Sequence, residues 1–199
     1  MPLKANSAYH FYNQGNNQEK IFFKRDNQLF FLQKFRMHVC PHCKVLAYCL
    51  MTNHFHFLFY TTSESVKEKR VGSLISTNLS DGFRQLLSSY AQAINRQENR
   101  SGSLFRHKNK TKLLENGDEN YPFICFHYIH QNPLTAGLVT KMEDWEFSSF
   151  RDYIGIRNGT LCDKELAFEL LDLSKDNFYE ESYQVISPEK IEKLLWKSE

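Results

Sequence analysis

Apolar and polar positions alternate most clearly at residues 54 to 60, where Phe55, Phe57 and Phe59 fall on one face of a strand and His54 and His56 on the other. Lys44 to Leu50 has strand character as well, and Met51-Thr52-Asn53 between the two segments predicts a hairpin. Ala8 to Asn13 reads as an opening strand closed by Gly15-Asn16-Asn17. Leu29, Phe30, Leu32 and Phe35 predict a helix capped by Asp26 and running to about Pro41. Phe83, Leu86, Leu87, Tyr90 and Ile94 recur at helical spacing, so Val71 to about Asn99 predicts one helix, or two interrupted near Ser80-Asp81-Gly82. Leu104 to Leu114 reads as the next strand and Glu115 to Asn120 as a loop. A helix starts at Tyr121, and Pro133 is expected to end it. The order β-α-β-β-α-β predicts an α+β fold: a ferredoxin-like antiparallel sheet with helices packed on one face.

The remainder divides at about residue 155, giving a main domain over 1–155 and a helical extension over 156–199. In the extension, Asp163 is placed to cap a short helix through Leu171, and Ser187-Pro188 is a helix start with a cap and a proline at the first position. Asp172 to Tyr183, acidic and aromatic, is expected to pack on the main domain or to bind something.

Composition supports a chain with a sizeable core: 41% of its 199 residues are hydrophobic, and seventeen phenylalanines supply much of that core. Apolar runs such as Phe57-Leu58-Phe59 are far too short to span a bilayer, and Met1 to Asn6 lacks the apolar centre of a signal peptide. A cytoplasmic location without membrane contact is the expectation. Five cysteines, an odd number, do not describe a disulfide framework. Cys40-Pro41-His42-Cys43 leaves three readings open: an incidental or structural pair, half of a zinc site completed by Cys49 or His38, or a redox pair. The last is in the wrong context, because the pair comes after a helix instead of opening one.

The net charge of +2 conceals a division. Residues 67–112 carry ten Lys/Arg against three Asp/Glu, whereas residues 113–199 carry eight against seventeen. Arg84, Arg106, Lys108, Lys110 and Lys112 belong to the basic stretch and are candidates for phosphate contacts, the last three alternating along one strand face. A solvated polar surface is the plainer reading of the same composition.

The two histidines change that balance. Two neutral imidazoles on one strand face can share a divalent cation, which acts as a Lewis acid on a bound oxygen. Downstream, in Phe126-His127-Tyr128-Ile129-His130-Gln131-Asn132-Pro133, a helix would put the Tyr128 hydroxyl and the Asn132 amide on one face. Metal, phosphate and tyrosine hydroxyl together describe a phosphoryl-transfer site.

These segments carry a resemblance. Asn53-His54-Phe55-His56 and Tyr128-Ile129-His130-Gln131-Asn132-Pro133-Leu134-Thr135-Ala136-Gly137-Leu138-Val139 resemble the two hallmark segments of the REP-associated tyrosine transposases, a branch of the HUH single-strand transposases. Tyr9 to Asn17, Leu104 to Lys110 and Trp145 to Phe150 resemble further family segments in the same order, so the likeness covers roughly residues 7–155. Thr52 departs from the family's usual proline.

The resemblance implies the HUH endonuclease fold, with a divalent ion, Mg2+ or Mn2+, bound by His54, His56 and Asn132. It implies Tyr128 as nucleophile, forming a 5′-phosphotyrosine intermediate while cleaving and rejoining single-stranded DNA that carries a hairpin. A monomer or a homodimer would serve, and His130 or Lys112 is a candidate to assist the tyrosine proton. The alternatives are a non-mobile nickase and a domesticated hairpin-DNA-binding protein that does not cut.

Overall fold

The computed structural model describes residues 3–107, 110–114 and 120–194. Four strands, β1 (Ala8–Gln14), β2 (Cys43–Leu50), β3 (His54–Thr61) and β6 (Lys110–Leu114), form one antiparallel sheet in the spatial order β2-β3-β1-β6. Between β3 and β6 the chain adds the single turn α2 (Ser63–Val66) and a separate hairpin of β4 (Glu68–Val71) and β5 (Leu74–Thr77). Helix α1 (Arg25–His38) joins β1 to β2, and α3 (Asn78–Gln97) leads from the hairpin toward β6. The ferredoxin-like order expected from the sequence is therefore present.

Crossovers of one hand deliver both connecting helices to the same face of a sheet. There Phe11, Phe55, Phe57 and Phe59 meet Phe31 and Phe35 of α1 and Leu79, Phe83, Leu86 and Tyr90 of α3. Phe35 lies flat on Phe57 with ring centroids 4.0 Å apart, and Phe83 on Phe11 at 3.9 Å.

Helices are not confined to that face, and the expectation that they would be is corrected by the chain beyond β6. Helix α4 (Tyr121–Thr135) closes no crossover, and it covers the opposite face, where Leu46, Ala47, Cys49, Leu58 and Leu114 meet Ile124, Cys125, Phe126 and Ile129. The helices α5 (Phe150–Tyr153), α6 (Lys164–Leu171), α7 (Phe178–Ser182) and α8 (Pro188–Leu194) extend this second layer, and Ala167, Leu171, Phe178 and Leu194 are buried in it. A bulge between Val45 and Ala47 lets Leu46 and Ala47, neighbours in sequence, both enter the second core. The outer edge of β2 is covered by residues 145–149: Leu50 N–H donates to Phe147 O, Ser149 N–H to Tyr48 O and the Trp145 indole to Leu50 O.

Several boundaries differ from expectation. Asp26 lies in the first turn of α1; the capping side chain is Asn27, whose Oδ1 accepts from Phe23 and Lys24 N–H, both at 3.1 Å. Val71 to Thr77 is strand and turn, because Gly72 at φ +62° supplies the tight corner of a hairpin. Helix α3 starts after its cap Thr77 and runs unbroken through Gly82. Among the described residues β6 covers Lys110–Leu114, and Phe105 makes an isolated bridge to Gly15. Glu115 to Glu119 lie outside the described residues.

Pro133 sits inside the last turn of α4, which ends two residues later. Gly137 (φ +67°) stops it, with Leu138 N–H donating to Pro133 O and Gly137 N–H to Leu134 O. Asp163 caps α6 by accepting from Leu166 N–H, and α8 starts at Pro188, both as expected. Cys40 and Cys43 are free thiols. Burial pushes the first up to about 11 and the second well above its usual range, the direction opposite to a redox thiol.

Gly82 marks where α3 crosses the end of α1: a Cβ there would lie 2.2 Å from the His38 carbonyl oxygen. In an exposed helix Gly→Ala stabilises by about 1 kcal/mol. Here the backbone contact must open, so Gly82→Ala is expected to lower stability by about 1–3 kcal/mol in urea unfolding. An increase would mean that the two helices separate without cost.

Candidate active site

The pleat of β1 and β3 assembles the site. Tyr12 pairs with His56 and Gln14 with His54, while on the other side His10 pairs with Lys112 and Tyr12 with Lys110. Side chains at these alternate positions share the face covered by α4. Tyr128, on α4, stands edge-on to His56 with ring centroids 5.5 Å apart. A cavity of about 200 Å³ opens among Tyr12, Asn13, Gln14, His54, His56, Arg106, Lys110 and Tyr128. A larger one, about 300 Å³, lies between Ala8, Tyr60, Leu113, Pro122 and Leu171; its walls are mainly apolar and it holds neither histidine nor Tyr128.

Hydrogen bonds around His54 fix which of its nitrogens is bare. Asn53 Nδ2 donates to the Gln18 carbonyl at 3.2 Å, so its Oδ1, 2.6 Å from His54 Nδ1, can only accept. His54 therefore carries its proton on Nδ1. Opposite its Nε2, Asn132 donates Nδ2 to the Tyr128 carbonyl at 3.3 Å, which turns Oδ1 toward Nε2 at 3.4 Å. Two lone pairs face each other, an arrangement that a cation placed between them would relieve. The turn after β1 backs this corner: Gly15 N–H donates to Asn53 O, and a Cβ on Gly15 would lie 2.0 Å from Glu19 O.

Burial keeps the site's imidazoles neutral. It lowers His54, against a smaller upward pull from Asn132, and lowers His56 well below the usual histidine range, with His10 and His54 adding to the effect. Neutral imidazole is the form that ligates a metal. Burial also raises Tyr128, to about 12, with Asn132 acting in the opposite direction.

A divalent ion fits this donor set of two imidazole nitrogens and one amide oxygen. Among the described residues no group of three or more His, Cys, Asp or Glu side chains forms a metal centre, and the set here depends on an amide. Gln131 is no substitute for Asn132, because its Nε2 donates to the carbonyls of Ser182 and Gln184.

Of the basic candidates, Arg106 and Lys110 line the cavity. Lys112 shares the face but its ammonium donates to the Lys193 carbonyl, and Lys108 lies outside the described residues. Arg84 is not brought to the site: it pairs with Asp81, which also holds Lys69, in the first turns of α3. His130 is corrected as a proton-assisting group, since its ring is buried beside Phe126 and Phe150 and hydrogen-bonds Ser149 Oγ at 2.7 Å. Ser149 Oγ also bonds the backbone of Tyr48, so His130 ties α4 to β2. His10 is a site residue that sequence reasoning missed. Its one signal was its place on the strand face opposite Phe11.

No family model and no curated protein matches the chain. Among solved structures it is similar to a REP-associated tyrosine transposase bound to a REP hairpin, with a TM-score of 0.55 and 17% identity, covering 82% of this chain and 91% of that one. The two share a fold. At that identity the likeness reaches the sheet and its helices. No helix among the described residues is long and apolar enough to cross a membrane.

His127, 2% exposed, has both ring nitrogens without a hydrogen bond, and burial lowers its pKa to about 4. A histidine whose pKa falls on folding takes up its proton only in the unfolded chain at intermediate pH. Its contribution is thus fully present above about pH 6.5 and lost as the pH falls toward 4. Replacing His127 by Phe is expected to leave stability at pH 7 unchanged or higher, and to remove roughly 2–3 kcal/mol from the loss seen in urea unfolding between pH 7 and pH 4. An unaltered pH slope would place that loss on the other buried histidines.

Proposed function

We propose that this protein is a metal-dependent DNA strand transferase of the tyrosine type, cleaving and rejoining single-stranded DNA beside a hairpin. The observation that carries the reading is the His54 Nε2 and Asn132 Oδ1 pair facing at 3.4 Å, with Tyr128 one helical turn before Asn132 and its ring against His56. The fold shared with a transposase bound to a REP hairpin supports the same reading.

A divalent ion held by His54, His56 and Asn132 would supply Lewis acidity to a phosphate oxygen. Arg106 and Lys110, on the cavity wall, hold the strand by its phosphates and place one phosphorus in line with Tyr128. The Tyr128 oxygen attacks that phosphorus: a P–O bond to tyrosine forms, the P–O3′ bond breaks, the phenolic proton is lost and the departing 3′ oxygen gains one. One phosphodiester replaces another, so a later attack by a 3′ hydroxyl reseals the strand without ATP. With Tyr128 at about 12, the phenolate is scarce at neutral pH unless positive charge stands beside it. In-line geometry requires a strand that can bend into the cavity, which favours single-stranded DNA over duplex.

Incubated with Mn2+ and single-stranded DNA carrying a hairpin, the wild-type protein is expected to form an adduct that survives denaturing electrophoresis. Tyr128→Phe should abolish it while DNA binding persists; an undiminished adduct would remove Tyr128 from the mechanism. Binding without any wild-type adduct would leave a hairpin-binding protein as the reading.

Replacing Arg106 and Lys110 together by Ala should weaken binding to all sequences alike. The slope of log affinity against log salt should flatten by about 1–2. A changed sequence preference at constant affinity would mean that they read bases instead.

A further inference from the structure

Tyr12 stands in the middle of the sheet, across from His56 on β3 and from Lys110 on β6, and its half-buried ring forms part of the wall of the cavity that holds His54, His56 and Tyr128. The mechanism above gives it no part. The His10 imidazole is stacked against the phenol ring with centroids 4.8 Å apart and planes inclined by 27°, and the His56 imidazole is inclined to it by 29° at 5.5 Å. His10 is fully buried, so the phenol ring is backed by a side chain that cannot move away into solvent.

Along β1 the next side chain on the same face is Gln14, which also lines the cavity. Same-face neighbours on a strand are about 6.5 Å apart. That is close to the ~7 Å that a flat ring needs between two groups in van der Waals contact, and the Gln14 side chain, unlike a ring, can bend aside. The cavity's cations lie next to this interval. Arg106 is fastened to β1 there, since its N–H donates to Gln14 O at 2.9 Å and its carbonyl accepts from Asn13 Nδ2 at 3.3 Å, while Lys110 comes from the strand beside Tyr12. Cations that track the backbone, together with an aromatic ring on which a base can stack, are the two parts of a surface for single-stranded nucleic acid.

We propose that Tyr12 is a substrate-binding residue, a platform on which the unpaired base beside the phosphate held by Arg106 and Lys110 stacks. The proposal rests on the strand-transferase reading of this cavity and adds to it how a single strand is chosen. A base inside a duplex is paired and already stacked on both faces, so it reaches the phenol ring only by leaving the helix, at a cost that an unpaired base does not meet. Because every base has a π-face, the platform accepts all four and leaves sequence preference to other contacts.

The test measures binding in EDTA to single-stranded DNA carrying a hairpin, with each unpaired nucleotide replaced in turn by an abasic one. One position is expected to cost the wild type about 5–150-fold in affinity. Tyr12→Leu, which keeps an apolar side chain on the strand, should lose a similar factor on intact DNA and little more when that base is also missing, because the two losses are one interaction. Tyr12→Phe should behave as the wild type. The slope of log affinity against log salt should be unaltered in Tyr12→Leu, in contrast to the replacement of Arg106 and Lys110. Equal abasic losses in wild type and Tyr12→Leu, a flattened salt slope, or no sensitive position would overturn the proposal. If Tyr12→Leu does not fold, the wild type is irradiated on DNA with 5-bromouracil at the sensitive position: a cross-link mapped to Tyr12 supports the platform, and one mapped elsewhere overturns it. A sensitive position without any covalent adduct in Mn2+ would defeat the strand-transferase reading and leave the platform; an adduct without a sensitive position would do the reverse, and absence of binding to any of these DNAs would end both.

Discussion

A one-residue slip between β1 and β3 would carry Phe55, Phe57 and Phe59 out of the apolar layer and push His54 and His56 into it. That register is the constraint on which the rest of the structure depends. Each of these phenylalanines is fully buried, and burying a side chain of this size contributes roughly 2–3 kcal/mol. The combined cost of a slip therefore far exceeds any single polar preference on the other face. The polar face inherits its geometry from the apolar one. Tyr12 lies across from His56, and Gln14 across from His54, because Phe11 must lie across from Phe57.

On that imposed face, proton ownership shapes what the site can do. Burial makes its imidazoles neutral, so each has one donor and one acceptor, and the neighbouring groups decide which nitrogen is which. Asn53 decides for His54. Asn132, turned by its own bond to the Tyr128 carbonyl, then brings a second acceptor against the first. A protein interior does not ordinarily oppose two lone pairs, and the proposed cation would relieve this departure from hydrogen-bond economy.

Holding Asn132 and Tyr128 over the sheet is the work of α4, whose contacts differ around its circumference. Ile124, Cys125, Phe126 and Ile129 enter the second core, His130 is tied through Ser149 to β2, and Gln131 is tied to the carbonyls before α8. The acidic, aromatic stretch that was ambiguous in sequence packs on this layer: Phe178 is buried in it, while Tyr179 and Tyr183 donate to the carboxylate of Glu143. The extension is thus continuous with the core under the candidate site.

Local chemistry made part of this legible in the sequence. The alternation in β3, the i and i+4 spacing of Tyr128 and Asn132, the Asp163 cap and the Ser187-Pro188 start are rules of near neighbours, and each appears where those rules put it. That Arg84 lies away from the cavity is not legible in the sequence, because charge counted along a chain does not say which face or end a residue occupies; Asp81, three residues before it, takes its guanidinium. The hairpin at Val71 to Thr77 is not legible as strand, because its apolar residues also fit a helical period over so short a span. Pro133 suggests a stop in sequence, but a proline in the last turn deprives the helix of a single hydrogen bond and Gly137 further on ends it. The tertiary structure alone decided that α4 lies on the face away from α1 and α3. It alone brought His10 to His56, 46 residues apart along the chain. No local rule reaches that far: such pairs form only when both layers of the sheet close on their separate apolar surfaces.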